Sequence, residues 1–301
     1  MTVWFQRLAV VTALFAYLQI ALGGVVRVSG SGLGCPDWPL CHGRPYPPAD
    51  AHAIIEYSHR AVGSVTGVLI IATVILAWTV WRTRRPLVAW LATASLAGVV
   101  GEGLLGAGVV ANELASWLVL VHLALAMIIL GFLVATAVIA MPPSAGVADP
   151  SYGRLTAIAA GASYLLLLTG STVVASGAEK ACQSWPLCGS GFTPDFTGSS
   201  AFTMLHRGSV LLIGAMLVWV LVRGIRFPGL KAVSIATLAV FALQVAVGAG
   251  AAVTDSALFN GFHVALGTLV WAGVLTTALL TLPRADRDPR ASRLAVERRS
   301  A

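Results

Sequence analysis

"CPDWPLC" at residues 35–41 returns at 182–188 as "CQSWPLC". These two heptads hold all 4 cysteines of the 301-residue chain, and they stand 147 residues apart. The same offset carries Gly23 to Gly170, Val26 to Val173, Ser29 to Ser176, Gly30 to Gly177 and the pair His59-Arg60 to His206-Arg207. Farther along, "GAG" at 106–108 recurs at 248–250 and His122 recurs as His263, at offsets of 142 and 141. The slip of six residues accumulates mainly across a connection, where a change of length disturbs least. Self-similarity over so long a period marks a duplicated unit.

The content of that unit follows from composition. The chain is 57% hydrophobic and 10% charged, with a mean hydropathy of +0.86, whereas a soluble domain is about a quarter charged. Crossing roughly 30 Å of hydrocarbon takes about 20 apolar residues in a helix. Eight stretches qualify: 8–26, 54–81, 87–110, 116–141, 154–175, 202–222, 230–252 and 258–282. They are too long and too evenly apolar for tilted barrel strands. Four spans per copy is an even number, so the copies share one orientation and their pseudo-twofold axis runs along the membrane normal. The expected fold is an all-α integral membrane protein of eight transmembrane helices, arranged as two pseudo-twofold-related four-helix bundles. The expected divisions are an N-terminal half (1–145), a C-terminal half (146–283) and a basic tail (284–301). The Pro-, Gly- and Ser-rich "MPPSAGVADPSYGR" (141–154) is the natural boundary. Small residues such as those of "GEGLLGAG" let helices approach closely. The small-residue stretch "SGSGLG" after the first span resembles a signal-cleavage site. Because the first span matches the fifth, which lies mid-chain, it is expected to be retained.

A net charge of +7 suggests nucleic acid in a soluble protein, but here the distribution points elsewhere. Arg7; Arg82, Arg84 and Arg85; Arg154; Arg223, Arg226 and Lys231; and six arginines after residue 283 fall on one side, 14 of the 19 basic residues. The positive-inside rule then predicts a multi-pass protein of the cell membrane with both termini cytoplasmic and no nucleic-acid partner. Both heptads fall on the outer face, where disulfides persist. Four cysteines allow three pairings. Local pairing, Cys35 with Cys41 and Cys182 with Cys188, is the simplest; a thiol relay and a four-cysteine zinc site are the alternatives.

Of the 6 histidines, His42 and His52 lie in the first outer loop. His59, His122, His206 and His263 lie inside spans, each near the outer end of the second or fourth helix of its half. Those helices start on the same face, so His59 can converge with His122, and His206 with His263. A lone intramembrane histidine usually serves a helix-to-helix hydrogen bond. Four of them, paired by depth and reproduced by the repeat, suit the two axial positions of a haem iron in each half. Arg60 and Arg207 follow the histidines and are candidate partners for haem propionates, with snorkelling to headgroups as the plainer alternative.

The halves also differ. Glu56 stands one turn before His59 in "EYSH", and its counterpart is Thr203 in "TMLH"; Arg27 corresponds to Val174. A carboxyl inside lipid is costly without a purpose, and one beside a haem ligand suits proton transfer at a reacting carbon. Pairing with Arg27 or capping the helix start is the structural alternative.

With "CPDWPLC", "EYSHR" (56–60), His122 and the second copy ending at His206 and His263, the chain resembles the bacterial haem A synthases of the CtaA/Cox15 family over residues 4–283. The resemblance implies an oxidoreductase that converts haem O to haem A, oxidising the C8 methyl to a formyl group through hydroxymethyl and hydrated-aldehyde stages with oxygen drawn from water. It implies that His59 and His122 hold the substrate haem O, that Glu56 acts at the reacting methyl, and that His206 and His263 ligate a cofactor haem b. It also implies haem O synthase upstream and haem-copper oxidases downstream. The rivals are a dihaem b-type electron-transfer protein, which leaves the one-sided Glu56 unmotivated, and a haem-handling assembly factor without chemistry. Electron acceptor and oligomeric state are left open by the sequence.

Overall fold

The computed structural model describes residues 1–142, 149–188, 192–254 and 256–282. The expected boundary at 145/146 and the tail at 284–301 lie outside the described residues. Among these residues eight α-helices form: α1 (Thr2–Val28), α2 (Ala51–Val80), α3 (Pro86–Ala111), α4 (Ser116–Ala140), α5 (Pro150–Ala175), α6 (Ser200–Gly224), α7 (Pro228–Thr254) and α8 (Ala257–Thr281). Each is long and apolar enough to cross a membrane, and the chain is an all-α integral membrane protein. In lipid the backbone must satisfy its own hydrogen bonds, which the helix does within one segment.

The expected spans match the helices within a few residues, with the largest differences at two N-termini. α1 begins at Thr2 because Gln6 and Arg7 extend it past the apolar run, and Gln6 Nε2 donates to Ala140 O at 2.7 Å at the end of α4. α5 begins at Pro150, where proline suits the first helical position and Asp149 caps the turn by accepting from the Ser151 and Tyr152 N–H groups. Asp50 caps α2 in the same way, accepting from Ala53 N at 3.0 Å.

α1 packs on α2 and α4, and α3 packs on both of those; α5, α6, α7 and α8 repeat the pattern. Between the two sets, α1 meets α8, α4 meets α5, and α4 crosses α8. At that crossing Thr268 Oγ1 donates to Met127 Sδ at 3.8 Å, and a side chain at Gly131 would run into the Trp271 indole. Tyr164 OH donates to Ala124 O at 3.1 Å, and Trp271 Nε1 donates to Ala160 O at 3.2 Å. Thr12 and Thr73, both buried, each bond back to the preceding turn and meet one another at 2.9 Å.

The loops joining α1 to α2 and α5 to α6 occupy one face, here termed the cysteine face. Cys35 is bonded to Cys41 and Cys182 to Cys188, each within its own heptad. The Trp38–Pro39 and Trp185–Pro186 bonds are both cis.

Candidate functional site

The four intramembrane histidines sit in the second or third turn from the cysteine face: His59 nine residues into α2, and His122, His206 and His263 seven residues into α4, α6 and α8. At 1.5 Å per residue this places all four at about the same depth.

Each imidazole rests on a glycine of the preceding helix. A Cβ built on Gly23 would stand 3.3 Å from His59 Cε1; on Gly106, 3.4 Å from His122; on Gly170, 3.0 Å from His206; and on Gly248, 2.6 Å from His263. Four residues before each glycine, one helical turn deeper, stands Gln19, Glu102, Leu166 or Gln244. Gln19 Nε2 lies 3.3 Å from His59 Nε2, and Gln244 Nε2 lies 3.5 Å from His263 Nε2. Glu102 Oε1 stands 3.1 Å from His122 Nδ1. Opposite Leu166 the polar partner shifts along α5 to Thr169, whose Oγ1 is 2.9 Å from His206 Nδ1. The repeat thus preserves a bed of one glycine and one facing side chain beneath every histidine.

In the C-terminal half the rings of His206 and His263 stand 6.4 Å apart, centroid to centroid, at 89°. Two metal–imidazole bonds of about 2 Å each, with the ring radii of about 1.2 Å, add up to about that distance. The Nδ1 atoms of His59, His122 and His263 are buried and make no hydrogen bond. Buried polar atoms are normally partnered, so these rings are placed for more than the protein supplies. Among the described residues no group of three or more His, Cys, Asp or Glu is placed to hold a metal ion.

Glu56 is 4% exposed and tied to the cysteine loop. One carboxylate oxygen pairs with the Arg60 guanidinium and the other accepts from Cys35 N at 2.8 Å. Arg60 also donates to the carbonyls of Asp37 (2.6 Å), Leu40 (2.8 Å) and Cys35 (2.8 Å). Arg207 grips the second loop in the same manner, donating to Ser184 O at 2.7 Å and Cys182 O at 3.2 Å. Thr203 replaces the acid there, and its hydroxyl donates to Ala178 O at 3.4 Å. Arg27 does not reach Glu56; it pairs with Glu179 in the short 3₁₀ turn Ala178–Lys180 of the other half. Asp37 closes the first heptad: the N–H groups of Gly43 and His42 donate to its carboxylate and hold its pKa below the usual range. His52, expected in the outer loop, lies in the first turn of α2 and meets Ser31 Oγ at 3.0 Å, while His42 meets Gly34 O at 2.9 Å within the loop.

Sequence reasoning took "GEGLLGAG" for its small residues and passed over Glu102, and it did not pick out Gln19, Gln244 or Thr169. A signal existed: among the described residues Glu56 and Glu102 are the only acids inside the eight helices, and an ionisable group within a span is a functional candidate by default.

The family model described as "Cytochrome oxidase assembly protein" matches residues 6–275. A protein named heme A synthase from Shouchella clausii is 31% identical over 221 residues, covering 70% of this chain and 73% of its own length. Heme A synthases of Halalkalibacterium halodurans and Alkalihalophilus pseudofirmus are 29% and 27% identical, each over 91% of this chain and 95% and 97% of their own. With duplicated histidine beds inside eight apolar helices and a family match over nearly its whole length, the chain belongs to the cytochrome oxidase assembly protein family that also bears the name COX15-CtaA.

Proposed function

We propose that the chain is a haem A synthase, an oxidoreductase that oxidises the C8 methyl of haem O to the formyl group of haem A. The conversion draws one oxygen from water and releases four protons and four electrons, the electrons passing to an acceptor outside the chain. The observation that carries this reading is the asymmetry of the histidine beds. All four imidazoles are mounted alike, but both intrahelical acids, Glu56 and Glu102, belong to the half that holds His59 and His122. A mere pair of electron carriers gives no reason for a buried acid at Glu56 in one copy where the other has Thr203.

On this reading His59 and His122 bind haem O. Glu56 takes the proton released at the reacting substituent. Its oxygens each accept one hydrogen bond and keep a further lone pair, while Arg60 and the Cys35 N–H hold the group in place. Arg60 spends four of its five N–H groups on Glu56 and the loop carbonyls, which leaves one for a propionate. Arg207 and Arg27 are the corresponding charge partners in the second half and at the end of α1. His206 and His263 would hold haem b, which supplies a one-electron carrier when bound.

The helix adjacency supports two four-helix halves, residues 1–145 and 146–283, joined through α1, α4, α5 and α8. The arginine distribution and the bonded cysteines support a cell-membrane protein with cytoplasmic termini. Haem O synthase supplies the substrate and haem-copper oxidases receive the product.

Pigment extraction tests the reading. Protein purified from cells co-producing a haem O synthase is expected to carry haem O, its hydroxymethyl form and haem A beside haem b; haem b alone refutes it. Glu56→Ala is expected to keep both bound haems and lose formyl formation, and unimpaired conversion removes Glu56 from the chemistry.

A further inference from the structure

Beneath the four histidines stand Gln19, Glu102, Leu166 and Gln244, and the acid is the exception. Glutamine has almost the shape of glutamate, so the space beneath His122 does not require a carboxyl. Placing one inside lipid is costly, and such groups pair with whatever faces them. What faces Glu102 is His122 Nδ1, 3.1 Å from Oε1; the two atoms are close without meeting in hydrogen-bond alignment, and both this Nδ1 and the second oxygen, Oε2, are buried with no other partner. Its acceptor capacity is therefore directed at one imidazole.

The geometry points to Glu102 as a positioning residue that orients His122 and sets its tautomer. We infer that Glu102 keeps the proton of His122 on Nδ1, presents Nε2 toward the iron, and makes this ligand a stronger donor than the other three. The inference rests on the proposed role of His122 as a haem ligand. The physical basis is the carboxylate–histidine pairing seen at metal sites: an acceptor on the distal nitrogen fixes ring and tautomer and raises the basicity of the ligating nitrogen. A stronger donor favours the oxidised iron. Glu102 is thus expected to lower the reduction potential in the N-terminal half, whereas the amide of Gln244 leaves the C-terminal half higher.

The test is redox titration of full-length protein loaded with haem O in cells co-producing haem O synthase. It uses the Glu56→Ala background, with pigment extraction on the same sample to verify that the bound substrate is still haem O. Adding Glu102→Gln should shift the midpoint potential of the first-half haem upward, leave its occupancy unchanged, and leave haem b unmoved. Glu102→Asp retains the charge and should fall between the two. An unmoved potential in Glu102→Gln overturns the inference. If that variant also loses haem b, which marks a folding fault, Glu102→Asp alone decides: an upward shift supports the role and none refutes it. His122→Ala separates this from the underlying reading. Loss of haem O upholds His122 as a ligand whatever Glu102 does, and full retention refutes the ligand assignment itself.

Discussion

The glycine beds allow a graded prediction. Replacing each of the four glycines by alanine adds the same methyl group to four copies of one site, at clearances that differ. At Gly106 the new Cβ meets His122 at 3.4 Å, an ordinary contact; at Gly23 it meets His59 at 3.3 Å, and at Gly170 it meets His206 at 3.0 Å. At Gly248 it would stand 2.6 Å from Cε1 and 3.0 Å from Nδ1 of His263. Carbon contacts are most favourable at about 3.5–4.0 Å, so the His263 ring must retreat by about 1 Å, which an iron–nitrogen bond of about 2 Å does not tolerate. Overpacking of this kind costs about 1–3 kcal/mol, whereas alanine in an open helical position gains about 0.5–1 kcal/mol over glycine. Gly106→Ala is therefore expected to retain its haem and hold or raise thermal stability. Gly23→Ala should be nearly neutral, Gly170→Ala should lose part of the second-half haem, and Gly248→Ala should lose most of it. Haem content by pyridine haemochrome, with melting followed in detergent, reads both effects. Full haem b in Gly248→Ala beside loss in Gly106→Ala would refute the steric reasoning.

Two further outcomes concern the edges of the fold. Arg27 and Glu179 bridge the halves at the cysteine face, but their side chains are 29% and 43% exposed, so a double-mutant cycle should return about 0–1 kcal/mol; a coupling above about 2 kcal/mol would show that the pair fastens the halves together. Asp149 caps α5 and pairs with Arg223 at 2.7 Å, and hydrogen bonds from Ser151 and Tyr152 hold its pKa below the ordinary value. A depressed carboxyl stabilises the fold above the unfolded pKa of about 3.9 and loses that contribution as pH falls through the folded value. The stability gap between wild type and Asp149→Ala should therefore be constant above about pH 5 and close below about pH 4; a gap independent of pH would remove the charge from the account.

Much of this was legible in the chain itself, for physical reasons. Hydrocarbon thickness fixes the length of each span, so the eight helices could be placed without tertiary information, and the duplication pointed to the four histidines by repeating them. The glycines at 23, 106, 170 and 248 were visible as repeats before their purpose was, because a close approach between helices leaves no mark except the missing side chain. Arg60 was harder. Its position beside His59 suggested a partner for an anionic ligand, but not that four of its N–H groups also hold Glu56 and the carbonyls of residues 35, 37 and 40. Such contacts depend on the path of a loop, which residue periodicity does not encode. Glu102 was missed because its partner lies 20 residues away on the next helix, and which faces of α3 and α4 meet is decided by packing.

The shared depth of the four imidazoles has an electrical consequence. Charge moving between two centres at the same height travels parallel to the bilayer plane, so it does no work against the transmembrane potential, which would otherwise contribute about 2.3 kcal/mol per charge for every 100 mV. Exchange between the halves would then run at the same driving force in an energised cell as in a de-energised one.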